Sequence, residues 1–326
     1  MKIALVGCGF IGHHLALHLK NRNHTVAAVD SLMVNNLMVL ENDAHKAFAE
    51  ERLALLDIAG IPLIRADARD YDLLSRTLAH FQPDLIIHTA AIAHITVANK
   101  DPHTTFDHSL RTLENSLDVA RALGCGLMYF SSSTVYGDFS QPVINEKEEL
   151  TPEGIYGNLK LAGERMAIAY NQTYGLPLTI IRPQALYGPR CVSGRVTQVF
   201  IEKAMRGEPI TIHGDGTEEH DFTYIADLVM GLRCAVENQE WEPGMFETFN
   251  LTGENATSLN KLADIVMKRF PTKVLYAEKD PEKPERGTMS CRHIRDKVGY
   301  KPQYDIERGM TEYMDWYSNL DKIKAA

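Results

Sequence analysis

The chain has 326 residues, of which 44% are hydrophobic and 24% are charged, a composition ordinary for soluble globular proteins of one large or two moderate domains. Its formal net charge of −9 at pH 7 argues against a general binder of nucleic acids or of anionic membrane surfaces. No apolar stretch reaches the roughly 18 residues of a membrane-spanning helix, and the apolar run at the N-terminus is too short for a signal peptide. We therefore expect a cytoplasmic protein with no nucleic-acid or membrane partner.

Short apolar runs alternate with longer helix-like segments through the first half of the chain. The runs are almost continuously hydrophobic and are separated by more than a dozen residues, which is typical of parallel strands buried on both faces of a sheet. This pattern predicts an α/β fold with a doubly wound parallel sheet. The predicted strands are Lys2–Val6, Val26–Val29, Leu63–Ala66, Leu85–His88, Leu127–Ser131 and Leu178–Ile181.

A glycine-rich turn directly follows the first predicted strand. In Gly7-Cys8-Gly9-Phe10-Ile11-Gly12 the glycines permit a tight turn and a close approach of the backbone to a pyrophosphate, at the start of a helix that we expect to begin at His13. Asp30 ends the next strand 23 residues after Gly7, where a carboxylate accepts a hydrogen bond from a ribose 2′-hydroxyl. Since a carboxylate repels a 2′-phosphate, the pattern favours NAD over NADP. Asp67, after the third strand, is either a cap for the adenine side or a plain loop aspartate.

Cysteine and histidine spacings predict no metal site. The five cysteines are widely scattered and form no Cys-x-x-Cys or Cys/His ligand pattern, so they are interpreted as reduced thiols. His13 and His14 are adjacent, so their rings diverge on a helix instead of converging on one ion. The cysteines are Cys8, Cys125, Cys191, Cys234 and Cys291.

Two polar groups further along the chain carry candidate chemistry. The fifth strand runs into a hydroxyl cluster at Ser131–Thr134, at the end of a strand where open α/β sheets build ligand crevices. Tyr156 and Lys160 are four residues apart, so on a helix they share one face and the ammonium favours the ionised form of the phenol. A free tyrosine titrates at about 10 and is a poor base at neutral pH. In the context of a dinucleotide turn, this pair predicts nicotinamide chemistry.

After about residue 183 the pattern changes to turns, shorter helices and a Pro-rich segment around Pro281 and Pro284. We interpret this part as a smaller, mixed α/β substrate domain. The predicted NAD-binding Rossmann domain comprises residues 1–183 plus about 222–250, and the predicted substrate domain comprises about 184–221 plus 251–326.

Taken in order, these motifs resemble those of the extended short-chain dehydrogenase/reductases, in the NAD-dependent nucleotide-sugar epimerase/dehydratase family, over nearly the whole chain. The matching motifs are Gly7-x-Gly9-x-x-Gly12, Asp30, His88–Ala91, Ser131–Gly137, Tyr156-x-x-x-Lys160, Arg182-Pro183 with Tyr187-Gly188-Pro189, and Gly214-Asp215-Gly216 leading to Asp221-Phe222-x-Tyr224.

The resemblance implies roles for these residues. Tyr156 is the base that takes a proton from a sugar hydroxyl while hydride passes to NAD, Lys160 holds the ribose and lowers the tyrosine pKa, and Ser132 bridges the sugar oxygen and Tyr156. The predicted NAD-binding residues are Gly7, Gly9, Phe10, Ile11, Gly12, Asp30, Asp67, Ala68, Ala90, Tyr156 and Lys160. The predicted substrate-binding residues are His94, Ser133, Thr134, Arg195, His220 and Arg286, although each of the two arginines can equally be a solvated surface charge, and His94 can merely line its loop.

The neighbours of Ser132 favour one reaction of the family. Its dehydratases carry an Asp-Glu pair where this chain has Ser133 and Thr134, and its decarboxylases place a Glu at the second position. The pattern here resembles the 4-epimerases, which oxidise C4, let the keto sugar rotate and return the hydride to the other face. The alternatives are a decarboxylase or dehydratase, a simple sugar dehydrogenase, and a non-catalytic NAD-sensing protein.

Three positions depart from the family pattern and leave the sugar and nucleotide open. Ala185 replaces an Asn that helps to bind substrate, and His220 replaces an arginine that clamps a diphosphate, a contact that neutral histidine does not reproduce. Ser109 replaces an Asn behind the site, which we interpret as a packing change. Arg190 joins Arg195 and Arg286 as a candidate for basic compensation. The resemblance also implies a homodimer through a four-helix bundle of the helices around Thr105–Leu123 and Tyr156–Tyr174.

Overall fold

We describe a computed structural model of the chain for residues 1–34, 40–279 and 286–319; the Pro-rich turn around Pro281 and Pro284 lies outside the described residues. The strands are β1 (Lys2–Val6), β2 (Thr25–Asp30), β3 (Leu63–Arg65), β4 (Leu85–His88), β5 (Gly126–Phe130), β6 (Val143–Ile144), β7 (Leu178–Pro183), β8 (Leu186–Tyr187), β9 (Ile210–His213), β10 (Glu219–Asp221), β11 (Thr223–Tyr224), β12 (Phe246–Leu251), β13 (Ala256–Ser258), β14 (Val274–Ala277) and β15 (Thr288–Met289).

The helices lie between and after these strands. They are α1 (Phe10–Asn21), α2 (Asp43–Ile58), α3 (Tyr71–Phe81), α4 (Ile95–Lys100), α5 (Pro102–Phe106), α6 (Thr112–Leu123), α7 (Gly154–Tyr174), α8 (Val196–Met205), α9 (Ile225–Glu237), α10 (Leu259–Arg269), α11 (Arg292–Val298) and α12 (Ile306–Ser318), with a π-helical turn at Asp107–Arg111 and a 3₁₀ turn at Ser133–Tyr136.

The central element is a seven-stranded parallel sheet in the order β12-β7-β5-β4-β1-β2-β3. All six strands expected from the apolar runs belong to it, with ends that differ by at most two residues, so the predicted fold class is confirmed. The apolar runs did not predict β12. Its sequence, Phe-Glu-Thr-Phe-Asn-Leu, mixes polar with apolar residues, and among the described strands it forms an edge of the sheet, paired with β7.

Both faces of the sheet are covered, as continuous hydrophobic strands predict. Along β1, Ile3 and Leu5 belong to one apolar core, whereas Ala4 and Val6 belong to the other, and all four side chains are fully buried. The strand order reverses between β1 and its two neighbours, β2 and β4. Open sheets of this kind bind their ligands outside the carboxyl ends of the strands at the reversal point.

The glycine turn enters α1 earlier than expected. The helix begins at Phe10, with Gly9 as the residue before it, and not at His13. The reason is close packing: a side chain at Gly12 would collide with the carbonyl oxygen of Gly7. Gly12 therefore belongs to the first turn of the helix, where it lets the turn fold back over the end of β1.

The remaining strands form short two-stranded sheets, which pair β8 with β11, β9 with β14, β10 with β13 and β6 with β15. Of the segment 222–250, α9 packs against α1 and β12 joins the large sheet, while the proposed division into two domains stays a prediction. Within the described residues, no helix combines the length and the apolar character needed to cross a membrane.

Candidate functional site

Two adjoining cavities open at the carboxyl ends of β1, β4 and β5. The glycine-turn cavity, which lies between Gly7 and Asp67, encloses about 910 Å³ including its open mouth. The tyrosine cavity, which lies in front of Tyr156, encloses about 2040 Å³ measured in the same way. Both are large enough for sizeable ligands. The residues that line both cavities are Ile11, Thr89, Ala91, Ala93 and Arg195.

The predicted cofactor residues divide between the two cavities. Tyr156 and Lys160 line the tyrosine cavity. All the others line the glycine-turn cavity: Gly7, Gly9, Phe10, Ile11, Gly12, Asp30, Asp67, Ala68 and Ala90.

The glycine turn has room for a pyrophosphate because its glycines have no side chains. Gly7 has a φ of +98°, which L side chains rarely adopt, and a Cβ there would lie 2.5 Å from the Ala90 nitrogen. A Cβ built on Gly9, in contrast, meets no heavy atom within 4 Å, so the space beside this residue belongs to the cavity. Because Gly9 stands at the N-terminus of the 12-residue helix α1, the space lies where unpaired backbone N–H groups favour an anion.

Asp30 both shapes the glycine turn and faces its cavity. One carboxylate oxygen accepts a hydrogen bond of 2.5 Å from the backbone nitrogen of Cys8, and the other accepts one of 2.6 Å from that of Leu32. Burial raises the pKa of Asp30, and these two hydrogen bonds lower it. Each oxygen keeps a second lone pair, so the residue can accept from a ribose hydroxyl without releasing the turn.

The far end of the glycine-turn cavity is polar. Asp67 forms a salt bridge with Arg69, with 2.7 Å between Oδ2 and Nη2, and a side-chain hydrogen bond from Arg69 lowers the pKa of Asp67. His108 lines the same end of the cavity and is carried by the π-helical turn before α6. Sequence reasoning missed His108, because the expected helix around Thr105–Leu123 gave no sign of the extra residue in that turn, although π-helical turns are frequent at functional sites.

The three predicted catalytic residues line the tyrosine cavity together. Tyr156 and Lys160 come from α7, one turn apart, and Lys160 Nζ lies 5.9 Å from the centre of the Tyr156 ring. Ser132 comes from the loop after β5, where its hydroxyl accepts a hydrogen bond from the Thr134 nitrogen and so begins the 3₁₀ turn. Helix and loop thus bring a phenol, an ammonium and a hydroxyl to one wall.

Lys160 is held almost entirely inside the protein. Its Nζ donates a hydrogen bond of 2.6 Å to the Phe130 carbonyl and lies 5.1 Å from the centre of the Tyr129 ring. Burial lowers the pKa of Lys160 to about 8, and the charge of Glu164, one turn further along α7, opposes this shift. The ammonium is therefore charged at neutral pH and fixed in direction.

The environment of Tyr156 includes a cation other than Lys160. Burial raises the pKa of the phenol, and the groups that lower it are the guanidinium of Arg195 and, to a smaller extent, a hydrogen bond with the Ser132 side chain. From the spacing we expected Lys160 to supply this lowering, and that role of Lys160 stays a prediction. Arg195, a further cation on the cavity wall, comes from the loop before α8.

The predicted substrate residues also line the tyrosine cavity: His94, Ser133, Thr134, Arg195, His220 and Arg286. Several polar atoms on its walls are buried and have no partner in the protein, which is uncommon for buried polar groups and suits a polar ligand. They are Ser131 Oγ, Thr134 Oγ1, Gln184 Oε1 and Arg195 Nε.

Arg286 and His220 are both engaged by protein groups. One nitrogen of Arg286, Nη1, donates a hydrogen bond of 2.7 Å to the Gly137 carbonyl, and its guanidinium lies 5.3 Å from the centre of the Phe139 ring. His220 Nε2 lies 2.9 Å from a carboxylate oxygen of Glu218, which lines the same cavity. The residue in the place of an arginine is thus tied to a carboxylate, an arrangement that no feature of the sequence indicated.

The other two departures have structural explanations. Ala185 has a φ of +42°, a left-handed conformation in which Asn is favoured over other residues with a side chain, so the alanine loses a donor and also strains the backbone. Ser109 is buried, and its hydroxyl accepts a hydrogen bond of 3.3 Å from the Ile92 nitrogen. It supports the loop that leads to His94.

All five cysteines are buried and free. Among the residues that the structure describes, no group of three or more His, Cys, Asp or Glu side chains is arranged to hold a metal ion. The absence of a metal from the function stays a prediction.

A comparison with protein families matches residues 3–251 to the NAD dependent epimerase/dehydratase family. The chain belongs to this family. It is 28% identical over 343 residues to UDP-glucuronate 4-epimerase 4 of Arabidopsis thaliana, covering 98% of this chain and 76% of that protein. It is also 28% identical over 335 residues to the "Uncharacterized UDP-glucose epimerase YtcB" of Bacillus subtilis (strain 168), covering 98% and 99% of the two chains.

Solved structures agree with this assignment. A UDP-glucuronic acid 4-epimerase from Bacillus cereus, in complex with UDP-glucuronic acid and NAD, matches with a TM-score of 0.88 and 25% identity over 98% of this chain and 99% of that one. A UDP-glucose 4-epimerase from Thermus thermophilus, in complex with NAD, matches with a TM-score of 0.84 and 24% identity over the same shares, which shows the fold alone. The predicted family and the predicted cofactor, NAD, are confirmed.

Proposed function

We propose that the protein is an NAD-dependent 4-epimerase of a nucleotide sugar, with a UDP-sugar as substrate. The observation that carries this proposal is the wall of the tyrosine cavity, which Ser132, Ser133 and Thr134 line together with Tyr156. Among the described residues that line this cavity, Glu218 supplies the carboxylate, and it is paired with His220. Eliminating water from a 4-keto sugar needs an acid and a base near the reacting carbons, which hydroxyls supply poorly.

Each catalytic residue has a distinct task in this proposal. NAD, when bound, accepts hydride from the sugar carbon and later returns it. Tyr156 takes the proton of the sugar hydroxyl and gives it back, while Ser132 holds the sugar oxygen in line with the phenol. Lys160, fixed by the Phe130 carbonyl, keeps a positive charge beside the phenol and the ribose.

The nucleotide is proposed from the relatives and from the charge of the cavity. Relatives that share 27–28% of their residues with this chain over almost its whole length are named as epimerases of UDP-glucuronate or UDP-glucose. Arg195 and Arg286 supply cations for a diphosphate or a carboxylate. Since His220 is tied to Glu218, the arginines carry the positive charge that an additional arginine at position 220 would share.

The test is incubation of the NAD-loaded protein with UDP-, GDP-, CDP- and dTDP-sugars, including UDP-glucuronic acid and UDP-glucose, with the products identified by NMR. We expect a UDP-sugar inverted at C4, with no loss of water or carboxylate and no accumulation of NADH. Accumulating NADH would assign a dehydrogenase, and a dehydrated or decarboxylated product would assign the other reactions of the family.

We also propose a homodimer that pairs α6 and α7 of one protomer with those of its partner. The proposal rests on family resemblance and on apolar side chains exposed on or beside these helices: Phe106 (40%), Ile155 (36%) and Tyr174 (58%). Size-exclusion chromatography with light scattering tests it, and a mass of one subunit at micromolar concentration contradicts it.

A further inference from the structure

His13 and His14, which offer no metal site, take part in a different arrangement. His13 Nδ1 lies 2.9 Å from the Gly9 carbonyl, and His13 Nε2 accepts a hydrogen bond of 3.0 Å from Arg190 Nε. An arginine Nε–H only donates, so His13 is the neutral tautomer with its proton on Nδ1, donated to Gly9. His14 Nε2 donates a hydrogen bond of 3.1 Å to the Pro189 carbonyl. Both imidazoles on the first turns of α1 therefore hold the segment around Pro189.

Both the side chain and the backbone carbonyl of Arg190 have partners in the protein. Its Nη1 forms a salt bridge of 2.9 Å with Glu51 on α2, and its carbonyl accepts a hydrogen bond of 3.1 Å from Nε of the fully buried Arg52. The backbone of Arg190 has a φ of +64°, a conformation that a residue with a side chain keeps only where its surroundings enforce it. We call these contacts of Arg190 with His13, Glu51 and Arg52 the Arg190 anchor.

The anchored segment ends at the wall shared by the two cavities. Arg195 immediately precedes α8 and lines both the glycine-turn cavity and the tyrosine cavity. Just before it, the Gly194 nitrogen donates a hydrogen bond of 3.0 Å to the Gln198 side chain. The buried Nε of Arg195 has no hydrogen-bond partner in the protein, so no hydrogen bond at this atom fixes the guanidinium. Its position depends on the segment that carries it.

We propose that His13 and Arg190 are positioning residues for the reaction. They fix the segment Gly188–Arg195 to the first turn of α1. Arg195 then lies at the wall between cofactor and substrate, where it supports negative charge on the oxygen of Tyr156. The glycine turn that binds NAD and the cation that assists the base are thereby joined through side chains. This inference rests on the proposed function in one respect, the role of Tyr156 as the base.

The protonation states of His13 and His14 favour contacts that persist over the working pH range. Burial, followed by the charges of neighbouring side chains, lowers the pKa of His13 well below its ordinary value, and burial followed by the charge of Arg190 lowers the pKa of His14 to about 3. Both rings therefore stay neutral throughout the working pH range. An additional proton on His13 Nε2 would point at the Arg190 guanidinium and break the link.

Several groups surround Tyr156, and the test must separate their effects. Lys160 lies one turn along α7, and Tyr129 approaches from β5. His94 and His220 line the same cavity. Arg195 lines this cavity as well, and its charge lowers the pKa of the phenol.

The experiment is a double-mutant cycle read by the titration of Tyr156. Ultraviolet difference absorbance of the NAD-loaded protein, with Tyr156→Phe subtracted, gives the ionisation of this one phenol and needs no sugar substrate. The variants are Arg190→Met, Arg195→Met, the double variant and, as a matched control, Arg206→Met, whose side chain pairs with Glu208 at the far end of α8. We expect both single variants to raise the Tyr156 pKa by about one pH unit, with no further rise in the double variant.

Non-additivity is the decisive outcome, because a residue that acts through Arg195 has no effect once Arg195 is gone. An unchanged titration in Arg190→Met, or shifts that add in the double variant, overturns the proposal. Glu51→Gln, at a partly exposed position, removes the charge of one of the two side-chain partners of Arg190 and weakens that contact; it serves if Arg190→Met does not fold and is expected to shift the pKa in the same direction by less. Failure of the sugar panel with this non-additive pattern intact would reject the epimerase and keep the link.

Discussion

The glycine-turn cavity and the tyrosine cavity adjoin along Arg195, yet the chain builds them in different ways. The first is lined mainly by residues that follow the first four strands, together with His108 and the segment Val192–Arg195, and its shape depends on side chains that are missing at Gly7, Gly9 and Gly12. The second is made by side chains from segments as distant as His94 and Arg286. A binding site made of backbone constrains the local sequence strongly, whereas one made of dispersed side chains leaves each segment free to vary. The cofactor is therefore much easier to infer than the sugar.

The variant Tyr156→Phe should distinguish the functions of the two cavities most clearly. Loss of the phenolic oxygen removes the proposed base, so turnover of the epimerised sugar should fall by about 10²- to 10⁴-fold, while NAD stays bound because the glycine-turn cavity is intact. Product formation by NMR and the nucleotide content of the purified protein measure the two effects. The matched control is Tyr170→Phe on the same helix, which should behave as wild type. Full activity in Tyr156→Phe would reject the assignment of the base.

The converse change is Gly9→Val, which should weaken NAD binding in the glycine-turn cavity without unfolding the protein. The Cβ at position 9 points into free space, so the added side chain meets the cofactor and not the protein. A cost of about 1 to 3 kcal/mol, as for overpacking, corresponds to about 5- to 150-fold weaker NAD binding. Calorimetric titration with NAD measures it, with Gly9→Ala as a graded control that should lose less. Wild-type affinity in Gly9→Val would show that the dinucleotide does not approach this turn.

The same contrast explains what the sequence revealed. The glycine spacing, the acid at the end of β2 and the pair Tyr156/Lys160 follow local rules, and the structure brings each of them to the expected cavity. The fold class followed from continuous apolar runs, and only the polar edge strand β12 escaped that rule. Local patterns report local constraints, and these were sufficient for the sheet and for naming residues that line the glycine-turn cavity, while the contacts of those residues with NAD stay a prediction.

Contacts between distant segments were not predictable in this way. Nothing in the sequence around Arg195 indicates that it lowers the pKa of Tyr156, and the partnership of His13 with Arg190 joins residues 177 positions apart. The π-helical turn that presents His108 depends on one extra residue in a helix whose apolar pattern is otherwise regular. Each of these features arises from tertiary packing and leaves no period or spacing in the chain.

His88 ends β4, directly before Thr89, which lines both cavities. Its ring is 1% exposed and hydrogen-bonds through Nδ1 to the Ser116 hydroxyl at 3.0 Å. Burial, and then the charge of Lys160, lowers its pKa to about 3, whereas the unfolded value is about 6.5. Below that value the unfolded state binds more protons than the folded state, so the stability contributed by neutral His88 is complete above pH 6.5 and is lost as the pH falls.

The free energy of unfolding should therefore depend on pH through this residue. In urea unfolding at pH 7 and pH 5.5, the wild type should lose about 1 kcal/mol more than His88→Asn does. His80→Asn, at an exposed position on α3, is the matched control and should follow the wild type. If the free energy of unfolding of His88→Asn falls as much as that of the wild type, His88 is protonated in the folded protein and its ring is more accessible to water than the structure shows.

The smallest expected effect concerns Ala185, where the tyrosine cavity departs from the family. Its φ of +42° costs a residue with a Cβ free energy that Asn tolerates better, so Ala185→Asn should raise the free energy of unfolding by about 0.5 to 1 kcal/mol. Ala185→Ser adds a polar group without this backbone preference and separates the two causes in urea unfolding. Stabilisation by Asn alone would mean that the backbone of this cavity still has the shape that suits Asn, so that the alanine altered substrate contacts without reshaping the wall. Equal stabilisation by both variants would instead point to a polar partner such as the buried Gln184 Oε1, and no gain in Ala185→Asn would contradict the strain at this position.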